Sequence, residues 1–160
     1  MSIKHAAFPV RCIGSIVLLG AGVLGAGCFQ DSTPQHSLFL PLDYKSSFQP
    51  VRPCRMNAGH DNTYQMVLAN AVAAAPYNNG ESPLPADSVV IAELHADATC
   101  NSLKGFYLMA KDKAGYDTAH GDWHWQQLDD NERVTQDGRL NKCISCHAQT
   151  TCTDYLCSAP

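Results

Sequence analysis

The chain has 160 residues, the size of one compact domain plus a leader. Apolar residues make up 45% and charged residues only 16%, so a core of modest size can be buried. The net charge of −4, without any basic run able to follow a phosphate backbone, argues against nucleic acid as the main partner.

Taken in chain order, residues 1–27 follow the plan of a bacterial secretory signal. Lys4 and Arg11 form a positive start, the stretch 13–24 is apolar and uncharged, and Gly25, Ala26 and Gly27 place small residues directly before Cys28. The apolar stretch is too short and too rich in glycine for a good membrane span, which needs ~20 apolar residues. Cys28 resembles the lipid-modified cysteine of bacterial lipoproteins, although Leu24 lies one place further from it than in the strict pattern; ordinary cleavage nearby is the alternative. The expectation is a periplasmic protein or one tied to a membrane through Cys28. Loss of the leader removes Lys4 and Arg11 and leaves a net charge of about −6.

Residues 28–47 read as a tether, and the polar, proline-bearing stretch 30–53 as an irregular lead-in whose Tyr44 and Phe48 pack on the core. The clearest helix is expected over 63–75, where Tyr64, Val67, Leu68, Ala71, Val72 and Ala75 recur on one helical face, Asn62 caps and Pro76 stops. After a turn-rich stretch, 88–94 is rich in β-branched residues and reads as a strand. Two more strands are expected over 105–111 and 123–128, with turns over 115–122 and at Asp137-Gly138. The sum is an α+β domain, mainly an antiparallel β-sheet with a few helices, over residues 48–160.

Export gives the eight cysteines an oxidising setting. Cys12 leaves with the leader and Cys28 is the anchor candidate. Cys54, Cys100, Cys152 and Cys157 form an even set of disulfide candidates with three possible pairings; Cys54–Cys100 with Cys152–Cys157 is favoured, and the spacing alone does not decide it.

Cys143-Ile144-Ser145-Cys146-His147 carries the chemistry. In a Cys-x-x-Cys-His run the two thiols form thioethers to the haem vinyl groups, and the adjacent imidazole reaches the iron. This points to a c-type cytochrome with one covalent haem c, held by Cys143 and Cys146, with His147 as the metal ligand. Two rivals stand beside it. Cys143, Cys146, Cys152 and Cys157 are close enough in sequence to bind zinc, which suits an exported chain poorly because thiolates there oxidise. Cys-x-x-Cys also suits thiol–disulfide exchange, but no strand–helix setting surrounds it. Candidates for a sixth iron ligand are Met56, Met66, Met109, His60, His95, His120 and His124. Phe106-Tyr107 and the run from Gly121 to Trp125 either wall a haem pocket or pack as ordinary strands.

The ordered pattern resembles the cytochrome P-460 family, which includes cytochrome c′-beta. It rests on His60, on Val89-Val90-Ile91-Ala92-Glu93-Leu94, and on Met109-Ala110-Lys111-Asp112. Gly115-Tyr116-Asp117, Gly121-Asp122-Trp123-His124-Trp125 and the terminal Cys143-Ile144-Ser145-Cys146-His147-Ala148 complete it. The resemblance implies a mostly β domain, often dimeric, with one haem c on Cys143, Cys146 and His147. Members that cross-link a lysine to the haem oxidise hydroxylamine; the matching position here is Ala92, which cannot form that link, and Lys104 and Lys111 lie elsewhere in the pattern. The resemblance therefore implies a protein closer to members that bind gases such as nitric oxide.

Three functions follow. The first is a haem protein that binds a small gaseous or nitrogen-oxide ligand or carries electrons to a periplasmic redox partner. The second is an oxidoreductase acting on hydroxylamine or nitric oxide, with Glu93 or Asp112 as the conceivable base. The third is a zinc- or disulfide-stabilised envelope binding domain without haem.

Overall fold

The computed structural model describes residue 37 and residues 39–157. The expected leader and Cys28 lie outside the described residues. A short helix α1 (Tyr44–Ser47) leads into six strands: β1 (Gln49–Asn57), β2 (Thr63–Ala69), β3 (Val89–His95), β4 (Leu103–Lys111), β5 (Trp123–Asp129) and β6 (Val134–Gly138). Helix α2 (Ala71–Asn78) lies between β2 and β3, and α3 (Asn141–His147) follows β6. Every strand pairs antiparallel with its sequence neighbour, giving one sheet in the order β1-β2-β3-β4-β5-β6. The α+β, mainly antiparallel expectation holds.

The central strands are apolar on both sides because both faces of the sheet are covered. On one face Leu40, Tyr44 and Phe48 pack over Leu68, Ile91, Phe106, Leu108 and Leu128. On the other, Ala73, Ala74 and Tyr77 of α2, Ile144 of α3, and Leu84 and Leu156 pack on Val67, Ala69, Val90, Met109 and Trp125. Tyr44 and Phe48 thus sit in the core, as does Leu40 inside the stretch read as a tether.

The helix expected over 63–75 is corrected to a strand followed by a helix. Val67, Leu68 and Ala69 are buried in succession, so the strand lacks the two-residue alternation that would have distinguished it from a helix. Asn70 is the joint. Its side-chain oxygen accepts from Ala73 N–H at 3.0 Å and from Val89 N–H at 3.1 Å, capping α2 while tying it to β3. Pro76 lies inside α2, which ends two residues beyond it. Strand β1 occupies part of the stretch read as irregular; Pro50 and Pro53 are compatible with it because an edge strand has one side without ladder donors.

Disulfides join Cys54 to Cys100 and Cys152 to Cys157, the two pairs favoured from sequence. The first ties edge strand β1 to the β3–β4 connection across 46 residues; closing a loop of that length contributes about 4 kcal/mol in the chain-entropy picture. Gly105, at φ +148°, is required where β4 meets β5, since a Cβ there would lie 2.5 Å from the Leu128 carbonyl oxygen.

Tyr44 locks the first face. Its hydroxyl donates to Glu93 Oε1 at 2.7 Å, and His95 Nε2 stands 3.4 Å from Glu93 Oε2, all three residues being buried. Burial, with Glu93 beside it, raises the phenol far above its ordinary range, so the hydroxyl stays a donor. Tyr44→Phe would leave the buried carboxylate short of a donor. It should lower the unfolding free energy by about 1.5–3 kcal/mol, read by urea titration.

Candidate functional site

Helix α3 is short and is anchored through its first turn. Cys143 and Ile144 N–H groups bond the Leu140 carbonyl, at 2.9 and 3.0 Å, and Ile144 buries its side chain in the core. Cys143, Cys146 and His147 are spaced i, i+3, i+4, which puts them on one helical face. That face looks onto a cavity of about 210 Å³, and all three residues line it. The opposite wall is a single row across the sheet, Val67–Ala92–Tyr107–Gln127–Gln136, each residue paired with the next.

His147 is oriented from behind. Its Nδ1 lies 2.6 Å from the Tyr155 carbonyl oxygen, which can only accept, so Nδ1 carries the hydrogen and Nε2 the lone pair. Burial pushes its pKa below the ordinary histidine range, outweighing the hydrogen bond to Tyr155, which acts to raise it; nearby His60 lowers it further. A neutral imidazole with a free lone pair is the form that ligates a metal. Trp125 packs its ring edge against His147, centroids 5.0 Å apart.

The Tyr155 carbonyl is presented by a hairpin closed by the Cys152–Cys157 disulfide and by paired Thr153–Leu156 backbone bonds of 3.2 and 2.8 Å. Asp154 and Tyr155 at its tip adopt positive φ, as a tight two-residue turn requires. Asp154 fastens that tip to the sheet. Its carboxylate receives Lys111 Nζ at 2.6 and 2.8 Å and Leu84 N–H at 2.8 Å, and its carbonyl receives Trp123 Nε1–H at 2.9 Å.

Cys143 and Cys146 are the free thiols among the described residues, since Cys152 and Cys157 are joined to each other. The four-thiol zinc arrangement is therefore not formed. Burial pushes the Cys143 thiol up, only partly opposed by Lys142, whereas a redox-active thiol needs the reverse shift.

Of the proposed sixth ligands, His60 and Met109 line the cavity. His95 sits by Glu93 on the other side of the sheet, His120 bonds Asp117, and His124 lies between Asp112 and Asp137. Met56 is exposed, and Met66 is absent from the lining. Tyr107 and Trp125 wall the cavity, while Phe106 and Trp123 pack in the core. Ala92 stands in the wall, and Lys142 is the lysine of the lining; Lys111 is engaged with Asp154. Glu93 and Asp112 are both away from the cavity, so neither is placed as its base. Sequence reasoning missed Gln65, Gln127 and Gln136. The detectable signal was a glutamine two positions from an apolar residue on the same strand face, namely Val67, Trp125 and Val134 in turn.

Lys111→Met would leave the Asp154 carboxylate, 7% exposed, without its cation. Stability should fall by about 3–5 kcal/mol, read by chemical denaturation; a change near zero would show that the hairpin is held otherwise.

No curated protein shows significant sequence similarity to the chain. The family model for cytochrome P460 matches residues 41–158, which takes in the whole sheet, α3 and the hairpin behind His147. With thiols and imidazole on one helical face against an open cavity, the chain belongs to the cytochrome P460 family, whose members are haem c-type cytochromes.

Proposed function

We propose that the protein is an exported cytochrome that binds one haem c through thioethers at Cys143 and Cys146, with His147 Nε2 as axial ligand. The observation that carries this reading is the common face of the three residues on the cavity, with His147 already fixed in the ligating tautomer. The cavity also fits the group chemically. Trp125 lines it and is buried, and its indole N–H has no acceptor among the described residues. A cofactor bearing carboxylates supplies acceptors of that kind.

When bound, the iron supplies one-electron chemistry and a coordination site for small molecules such as nitric oxide. The chain's own residues hold His147 through Tyr155, exclude water with Val67, Ala92 and Trp125, and keep the attachment thiols in register. Electron transfer to a periplasmic partner and small-ligand binding are the activities this arrangement serves. The hydroxylamine-oxidising alternative is weaker, because Ala92 stands where the cross-linking lysine would be and Glu93 turns to the other face. Export, with a membrane tie at Cys28, is supported by the leader and by the two disulfides, which suit an oxidising compartment.

Expressed with haem-maturation machinery, the wild type should give a pyridine haemochrome spectrum of a two-thioether haem. Cys143→Ser and Cys146→Ser should each shift it to the one-thioether form. A wild-type spectrum of unattached haem would overturn the reading.

A further inference from the structure

We propose that Asp154 and Lys111 are positioning residues for His147: by clamping the C-terminal hairpin they hold the Tyr155 carbonyl on the imidazole, and through that bond they set the iron's reduction potential. This rests on haem attachment at Cys143 and Cys146 with His147 as axial ligand. The 2.6 Å bond from His147 Nδ1 to the Tyr155 carbonyl is the one hydrogen bond to that ring among the described residues. A carbonyl at Nδ1 makes the imidazole a more basic ligand, and a more basic ligand favours ferric over ferrous iron. The placement of one backbone oxygen thus bears directly on the potential.

That placement does not sustain itself. Asp154 and Tyr155 have φ of +48° and +65°, a region that side chains other than glycine rarely adopt, a bulky tyrosine least of all. Such a backbone persists where its surroundings over-determine it. The Cys152–Cys157 disulfide closes the hairpin on itself, but both cysteines belong to the hairpin, so the bond does not tie it to the sheet. Asp154 does. Its carboxylate meets Lys111 of β4 at 2.6 and 2.8 Å and the Leu84 N–H at 2.8 Å, and Trp123 of β5 donates to its carbonyl at 2.9 Å. Lys111 and Trp123 are themselves paired in the β4–β5 ladder, with the ammonium 4.5 Å from the indole ring centre. The fixed end of the clamp is therefore sheet, and its far end is the oxygen on His147. Because Lys111 offsets the charge of Asp154, the pair acts by placing that oxygen and not by a net field at the iron.

The test is the midpoint potential of the holoprotein and the iron–histidine stretch in its ferrous resonance Raman spectrum, with haem c content measured in parallel. Lys111→Met combined with Asp154→Asn removes the clamp, leaves net charge unchanged and strands no buried ion; asparagine also accepts the positive φ. The ferric–ferrous equilibrium constant should shift tenfold toward ferrous, which raises the potential by about 59 mV, and the stretch should move to lower frequency. Lys111→Arg, which keeps the cation, should hold both readings at their wild-type values. Trp123→Phe removes one bond to the hairpin and no charge; it should move both readings in the same direction as the double variant, by less, and it serves if the double variant does not fold. Haem-loaded variants with wild-type potential and stretch would overturn the positioning role while leaving the haem reading intact. Absence of covalent haem from the wild type would instead overturn the reading on which the role rests.

Discussion

The buried contact between Lys111 and Asp154 is the constraint on which the site depends. The last strand is followed by one short helix, and nothing in seven residues fixes the direction of a histidine at its end. Asp154 supplies that direction at one remove. By seating on Lys111, Leu84 and Trp123 it pins a six-residue, disulfide-closed hairpin against the sheet, and the hairpin holds the Tyr155 carbonyl against His147. A buried ion pair adds little net stability on its own, but removing one partner is costly, so it specifies a position. The disulfide acts in the same sense by limiting what the hairpin can do when it separates from the sheet.

The two faces of the sheet divide the work. One is covered by the segment leading into β1, with Tyr44 and Glu93 bonded across it. The other is only partly covered: α2 and the C-terminal hairpin fill the apolar cluster, and the remainder of that face forms the cavity under α3. Because partners in a sheet share a face, the row from Val67 to Gln136 puts residues from five consecutive strands on one wall. That explains why Ala92 faces the cavity and its neighbour Glu93 faces away: adjacent strand residues point to opposite sides.

The Cys-x-x-Cys-His motif was legible because the chemistry it suits fixes its spacing, and helix geometry then places all three side chains on one face. Strands β3, β4 and β5 were legible from β-branched and aromatic content. Three features were not. The junction at Asn70 was hidden by apolar residues that continue across it at helical spacing, although their burial arises from two different elements. Strand β1 was hidden by Pro50 and Pro53, which are tolerated because it is an edge. Gln65 and the Tyr155 carbonyl act through hydrogen bonds to histidine, and neither a backbone oxygen nor a lone glutamine announces that in one dimension. Even His60 and His147 are far apart in the chain, and only the β1–β2 turn brings them to one cavity.

Covalent attachment of one haem to Cys143 and Cys146 is open to direct test. The most direct measurement is the intact mass of the purified holoprotein after extraction with acidified organic solvent. The polypeptide should retain the mass of one haem. A polypeptide stripped to its own mass, with all haem in the solvent, would contradict it.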